Sequence, residues 1–413
     1  MFGSHRAQLP AWLSFERVNR EPTPVASPTA TPAPKPSPTP DSTPITLTIW
    51  ISPDFDPAAD NPAGKILREH LAYYERRRTN VQVNVRVKAL EGEGGIINSL
   101  ITASAAAPDA LPALVLVSQT MLESCVLKGV CYPYDGLLSI SDADWFDFAL
   151  TTGQMQGRTF GLPFATDLLT LAYRPARIAQ PPASWAALMQ TPAPLLFYAA
   201  DPQATYVTML YMAAGGLLLD DTRKPTLTRA PLLNTITTLS DAHKVGRFPA
   251  YLLQYKNETE VWQAYMDGTS AMALTWASQY LKNPPADTVL TMPPTPTGVP
   301  FTLGRTWLWV LTTPNSEQQA LGVELAAYLT MPDFMARWNT AAGYLPTRST
   351  TMDAWQNPTL RDTLKPILLA ARPLPPGDIH TPLQPLLYDA LEQTLLEKNP
   401  PETILDSILE RLP

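Results

Sequence analysis

The residues able to do chemistry in this 413-residue chain are scattered, and no catalytic signature gathers them. Four histidines, His5, His70, His243 and His380, stand far apart, and Cys125 and Cys131 lie six residues apart with no second cysteine pair. A zinc site needs four ligands brought together from short spacings, and none is visible. No G-x-S-x-G, H-E-x-x-H, P-loop or G-x-G-x-x-G occurs; Gly268-Thr-Ser-Ala-Met272 lacks the last glycine of a nucleophile elbow. An acid pair for glycoside hydrolysis can always be picked from 37 Asp and Glu, so their presence selects nothing. Bond-breaking machinery, metal and cofactor are therefore not expected. The two cysteines have two readings: a small closed loop in an oxidising compartment, or two unpaired thiols.

Composition narrows the partners. A formal net charge of −7 leaves no basic surplus for phosphates, which argues against nucleic acid and for small molecules or proteins. At 413 residues, 45% apolar and 16% charged, the chain is long enough for two lobes or more. Nine of its 45 prolines fall between Glu21 and Pro44 among Thr, Ser and Ala. Such a stretch buries little and stays extended, so residues 1–44 read as a leading segment and a tether. In Met1–Arg20 the apolar Trp12, Leu13 and Phe15 are interrupted by Arg6, Glu16 and Arg17, so no signal-peptide core and no lipid-accepting cysteine are visible. No later stretch is long and apolar enough for a spanning helix.

The elements after the tether alternate strand and helix. Ile45–Trp50 alternates as a strand, and Asn61 caps a helix with Pro62 at its first position. Ile66, Leu67, Leu71 and Tyr74 give that helix its apolar face, and Val81, Val83, Val85 and Val87 alternate as the next strand. This is a βαβ unit, so a largely parallel sheet opens the body. Leu114–Val117 reads as a buried strand. Gly157–Phe164 reads as a turn and short strand leading into Leu168–Tyr173. Helices are expected around 185–189, 206–214 and 262–265. A strand follows at Thr306–Leu311, then a helix with a capping box of Ser316 and Gln319.

The order of these pieces resembles the extracellular solute-binding proteins of ABC importers, the maltose-binding-protein-like family. Gly157-Arg-Thr-Phe-Gly-Leu-Pro163 resembles its G-K-x-Y-G-x-P turn, and Pro182-Ala-Ser-Trp185 its P-x-T-W helix entry. Gly268–Met272 resembles its G-x-x-A-M strand, and Gly343-Tyr-Leu-Pro-Thr-Arg348 its G-x-x-P-x-R loop. Gly304-Arg-Thr-Trp307 stands where the family often has a glycine pair and an aromatic. Where the family commonly places a glycine after the A-M strand, this chain has Trp276, a stacking platform or a plug.

The resemblance implies a two-lobed α/β fold of the type II periplasmic-binding class, with three hinge crossings near 164–166, 300–303 and 345–346. It divides the chain into an N-lobe of residues 45–165 and 304–345 and a C-lobe of residues 166–303 and 346–413. Ligands in such folds settle beyond the carboxyl ends of the strands. The expected contacts are Ser52, Asp54, Ser118, Gln119, Arg305 and Trp307 from one side, and Asp167, Tyr198, Asp201, Tyr206 and Trp276 from the other, with Arg348 on the last crossing. Aromatics would meet a sugar ring face while Asp, Gln and Arg bond its hydroxyls. Trp50 and Trp309, alternating within strands, read as core; Asp54 and Asp201 also suit helix caps. Arg305 and Arg348 would equally suit an anionic solute, and the carboxylates a polyamine. The implied role is the substrate-binding component of an importer, monomeric, extracytoplasmic and without enzyme activity, with permease subunits as partners. A sensor module and a secreted carbohydrate hydrolase are the alternatives.

Overall fold

The computed structural model describes residues 44–140 and 144–413. The tether and the segment before it lie outside the described residues. Eleven strands form: β1 (Ile45–Ile51), β2 (Val81–Val87), β3 (Leu114–Ser118), β4 (Gln154–Met155), β5 (Arg158–Thr159), β6 (Gly161–Tyr173), β7 (Leu195–Leu196), β8 (Met272–Trp276), β9 (Val289–Thr291), β10 (Thr302–Leu311) and β11 (Ala371–Pro373). All but the β4–β5 hairpin join one sheet, in the order β2-β1-β3-β10-β6-β8-β7, with β11 added to β10 and β9 to β6.

The opening βαβ unit forms as the sequence predicts. The Asn61 side chain accepts the Gly64 N–H at 2.8 Å and starts the helix Pro62–Arg77. Strand β1 pairs in parallel with β2 and with β3. Period-two alternation feeds two faces: Ile49, Leu116, Trp309 and Leu311 enter one core, while Trp50, Val115, Val117 and Leu308 enter another. Trp50 and Trp309 are buried, as their alternation implied.

Two strands are longer than expected. Strand β6 is one continuous run of 13 residues, not a short strand followed by another, and β10 begins at Thr302 rather than Thr306. They pair antiparallel from Gly304–Leu168 to Val310–Gly161. Between them they reach three apolar clusters, Leu308 and Val310 entering the one around Trp50. Leu162, Phe164, Ala165 and Trp309 pack with Leu47, Phe334 and Trp338, whereas Leu168, Leu171, Ala172 and Leu303 pack with Leu210, Ile236, Leu274 and Leu387. A parallel sheet holds for β2-β1-β3. The crossing strands must run against each other, because one leaves a lobe and the other returns. The third passage joins them where Leu345 and Thr166 exchange both backbone hydrogen bonds, at 2.8 and 3.0 Å.

Packing at the crossing is close around Gly304. A Cβ on Gly304 would lie 2.7 Å from Leu168 Cδ2 and 2.8 Å from Phe148 Cε2. Beyond it, β3 and β11 lie end to end along the same edge of β10, opposite residues 302–304 and 307–311. One cap is displaced from expectation. Asn315, not Ser316, opens the helix Ser316–Leu329 by accepting the Gln318 N–H at 3.0 Å, and Gln319 donates to the Thr313 carbonyl. Asparagine and serine cap about equally well, so the chain path and not the residue type sets the start.

Candidate functional site

Where the crossing strands pass between the two cores, several polar and aromatic side chains converge on Arg305. Its position on β10 pairs with Asp167 on β6, so the strand register alone sets them side by side. Arg305 Nη2 donates to Asp167 Oδ2 at 3.0 Å and to Glu258 Oε1 at 3.1 Å. The guanidinium carbon lies 4.2 Å from the Trp276 ring centroid and 5.7 Å from that of Trp307. A delocalised cation against an indole face is attracted by the ring quadrupole.

Asp167 is fully buried and fully used. Besides Arg305 it accepts the Leu168 and Ser278 N–H groups, each at 3.0 Å, and the Ser278 hydroxyl at 2.6 Å. Burial pushes its carboxyl above the usual range, against the opposing pull of Arg305 and Ser278. Burial by itself would depress Arg305, but Asp167 and Glu258 outweigh it and hold the guanidinium above its ordinary value. Asp167 therefore anchors Arg305 and keeps no lone pair for a solute. Glu258 is different: its side chain is 26% exposed, and besides Arg305 it accepts only a long bond from Gln279 Nε2.

The aromatic parts sort in the same way. Trp276 ends β8, is buried, and donates Nε1–H to the Tyr198 hydroxyl at 3.1 Å. With Arg305 across its face, it supports the cluster from below. Trp307 is half-buried and packs at 4.7 Å from Tyr344 and 5.8 Å from Phe55. Burial raises the phenols of Tyr198 and Tyr344, and a nearby Asp54 raises Tyr344 further, so both remain neutral hydrogen-bonding groups. The two sides touch at Gly343, whose φ of +69° and closeness to the Lys282 backbone, 2.9 Å from where a Cβ would sit, only glycine tolerates. Lys282 Nζ lies 5.2 Å from the Tyr344 ring centroid.

The other expected contacts have different placements. Asp54 is exposed in the short helical turn after β1, and Ser52 is buried at the head of that turn. Ser118 caps the helix Gln119–Leu127. Gln119 donates to Glu123 and to the Leu374 carbonyl at 3.0 Å. Asp201 accepts the Gln203 and Thr205 amides at 2.9 and 2.8 Å, which is the capping role its position allowed. Tyr206 packs between Phe197 and Phe248 with its hydroxyl buried in the core. Arg348 stacks 3.8 Å from the Trp145 centroid and donates to Asp144 at 3.1 Å. Thus Asp167, Tyr198, Trp276, Arg305 and Trp307 come together, while Ser118, Gln119, Asp201, Tyr206 and Arg348 hold local structure.

Glu258, Ser278, Tyr344 and Phe55 were missed. Tyr344 lay within the quoted Gly343–Arg348 loop; Glu258 and Ser278 carry no local signal. Among the described residues no three His, Cys, Asp or Glu converge as a metal site, and no helix is long and apolar enough to cross a membrane.

Comparison with known proteins bears on the arrangement. The family profile described as bacterial extracellular solute-binding protein matches residues 74–361. No curated protein matched in sequence. Among solved structures, the chain is similar to the sugar-binding protein MalE from Xanthomonas citri, at 18% identity and a TM-score of 0.72, covering 89% of this chain and 96% of that one. It is also similar to the cyclic alpha-maltosyl-1,6-maltose binding protein from Arthrobacter globiformis, at 16% identity and 0.71, covering 89% of this chain and 98% of that one. A Thermotoga lettingae ABC transporter solute binding protein bound with alpha-D-tagatose follows at 20% identity and 0.66, covering 89% and all of that chain. At these identities the likeness establishes the two-lobed α/β fold.

Proposed function

The chain belongs to the bacterial extracellular solute-binding proteins, a family of extracytoplasmic binding proteins and not of enzymes, and on that premise we propose that it delivers a neutral sugar or oligosaccharide to an ABC permease. The solute would lie between an N-lobe of residues 45–165 and 304–345 and a C-lobe of residues 166–303 and 346–413. A leading proline-rich tether would hold the protein at the cell surface. Contacts made to both lobes at once favour the closed form, which is the state a permease would engage. The similar proteins of known structure include a cyclo/maltodextrin-binding protein complexed with maltotetraose and a solute binding protein bound with alpha-D-tagatose, which supports a carbohydrate here.

One observation carries the chemistry: Arg305 already spends its charge on Asp167 and Glu258. Two carboxylates share one guanidinium, so Arg305 itself offers an acidic solute no net positive charge. Arg348 is likewise paired with Asp144, so the arginines do not favour a sugar phosphate. In the proposed site the half-buried Trp307 offers an aromatic surface, and Glu258 and Arg305 offer hydrogen bonds to hydroxyls. Asp54 lies in the turn that also carries Phe55, which packs against Trp307. Asp167, Trp276 and Tyr198 act through Arg305, as positioning residues.

A thermal-shift panel of neutral sugars, sugar phosphates and polyamines tests this. Neutral sugars should raise the melting temperature by mass action, and Trp307→Ala should reduce the shift at a given sugar concentration. A sugar phosphate that stabilised the protein more than its neutral parent would defeat the reading.

A further inference from the structure

We propose that Cys125 and Cys131 form a structural disulfide in the mature, extracytoplasmic protein, closing the loop at the end of the helix Gln119–Leu127. The chain has only these two cysteines, both free and buried in this structure, and its fold sets them in one apolar cluster. The backbone prepares the meeting. After the helix ends, Gly129 adopts φ of +65° and the Val130 N–H returns to the Cys125 carbonyl at 3.0 Å. That turn reverses the chain just before Cys131, so both side chains enter one apolar cluster with Leu122, Val115 and Val117. The five residues between them set a small ring.

Compartment supplies the chemistry. Disulfides form and persist outside the cytoplasm, and the family places this chain there, so the proposal rests on that location but not on the ligand reading. The Cys131 thiol is held well above its usual range by its hydrogen bond with Cys125 and by burial, and both cysteines are buried. Neither sulfur is thus accessible in the finished fold. Oxidation must accompany folding: one thiolate of the nascent chain attacks the disulfide of an extracytoplasmic thiol oxidase, and the second then displaces that enzyme. The two thiols lose two protons and two electrons, and the oxidase leaves as its dithiol.

The staple has a structural purpose. The first turns of this helix carry Gln119, bonded to the Leu374 carbonyl, and Glu123, which accepts the Gly377 N–H at 2.7 Å. Leu374 packs with the cluster around Leu168 and Leu274, whereas Leu122 and Cys125 belong to the one around Trp50 and Val115. The disulfide would fix the far end of a helix whose near end ties the two sides together.

Two arms test it. Protein exported to a bacterial periplasm is denatured without reductant, treated with a maleimide and weighed. No adduct is expected, against two after reduction; two adducts without reduction would overturn the proposal. Reduced full-length protein is then unfolded and refolded in a glutathione redox buffer. A monomer lighter by two hydrogens is expected, and two glutathione adducts would show that the geometry forbids closure. Cys125→Ser and Cys131→Ser should each lower the melting temperature by several degrees, with no further loss in the double variant. Additive losses would mean two separately packed thiols, and would contradict the bond.

Discussion

Arg305 and Arg348 are built from the same parts. Each guanidinium lies over a tryptophan, Trp276 at 4.2 Å and Trp145 at 3.8 Å, and each meets an aspartate at about the same distance. Their electrostatics nevertheless run in opposite directions. Arg305 is raised above its ordinary value because two carboxylates outweigh burial, while Arg348 is lowered because burial outweighs Asp144 alone. The aspartates also differ. Burial raises Asp167, whereas at Asp144 the Thr350 amide and hydroxyl, with Arg348, overcome burial and hold it below the usual range. A stacked, paired arginine is thus no site by itself. What distinguishes Arg305 is its place between two crossing strands, with Glu258, Trp307 and Tyr344 facing the same space.

The sharpest way to break this comparison is to delete each cation. Arg305→Leu leaves Asp167 buried without its counter-charge and should cost about 3–5 kcal/mol in denaturant unfolding. The same change at Arg348 leaves a less buried Asp144 still bonded to Thr350 and should cost about 1–3 kcal/mol. Equal losses would erase the distinction. Next, Trp307→Ala should weaken binding of a stabilising sugar by about 2 kcal/mol, roughly thirtyfold, in calorimetric titration. Trp145→Ala should leave that affinity unchanged. Glu258→Gln keeps an acceptor but frees part of the Arg305 charge, so it should improve affinity for an acidic sugar by about tenfold, or about 1.4 kcal/mol.

The smallest effect is in pH dependence, where the signs differ. Asp144 has a depressed folded pKa, so it stabilises above its unfolded value and loses that contribution as pH falls through the folded pKa. Asp167 is raised, so the folded state binds the extra proton and stability from this group falls as pH rises from the unfolded to the folded pKa. Asp144→Asn should therefore flatten the acid-side loss of stability, and Asp167→Asn should steepen it. Melting curves between pH 3 and 6 would show either the two opposite changes or none.

Much of the fold was legible because it rests on local pattern. The valines at 81, 83, 85 and 87 and the Asn61-Pro62 start state their structure in a few residues. The crossing was harder. The expected strand began at Thr306 and left out Gly304 and Arg305, yet both belong to β10, where a Cβ on Gly304 would crowd the Leu168 and Phe148 side chains. Of the site, the sequence offered Arg305, Asp167, Trp276, Trp307 and Tyr198 through strand ends. It hid the partners that give them meaning. Ser278 bonds Asp167 across 111 residues and Glu258 reaches Arg305 across 47, with no spacing rule to announce either. Asp201 and Ser118 looked alike as candidates because a capping side chain and a ligand contact use the same residue types at the same strand ends.

The most direct test is a calorimetric titration of a neutral sugar that raises the melting temperature, made on the native protein and on Trp307→Ala and Arg348→Leu, each checked for folding. The account predicts binding that Trp307→Ala weakens at least tenfold and Arg348→Leu leaves intact. A sugar bound equally well by the native protein and by Trp307→Ala would place its site elsewhere and contradict the account.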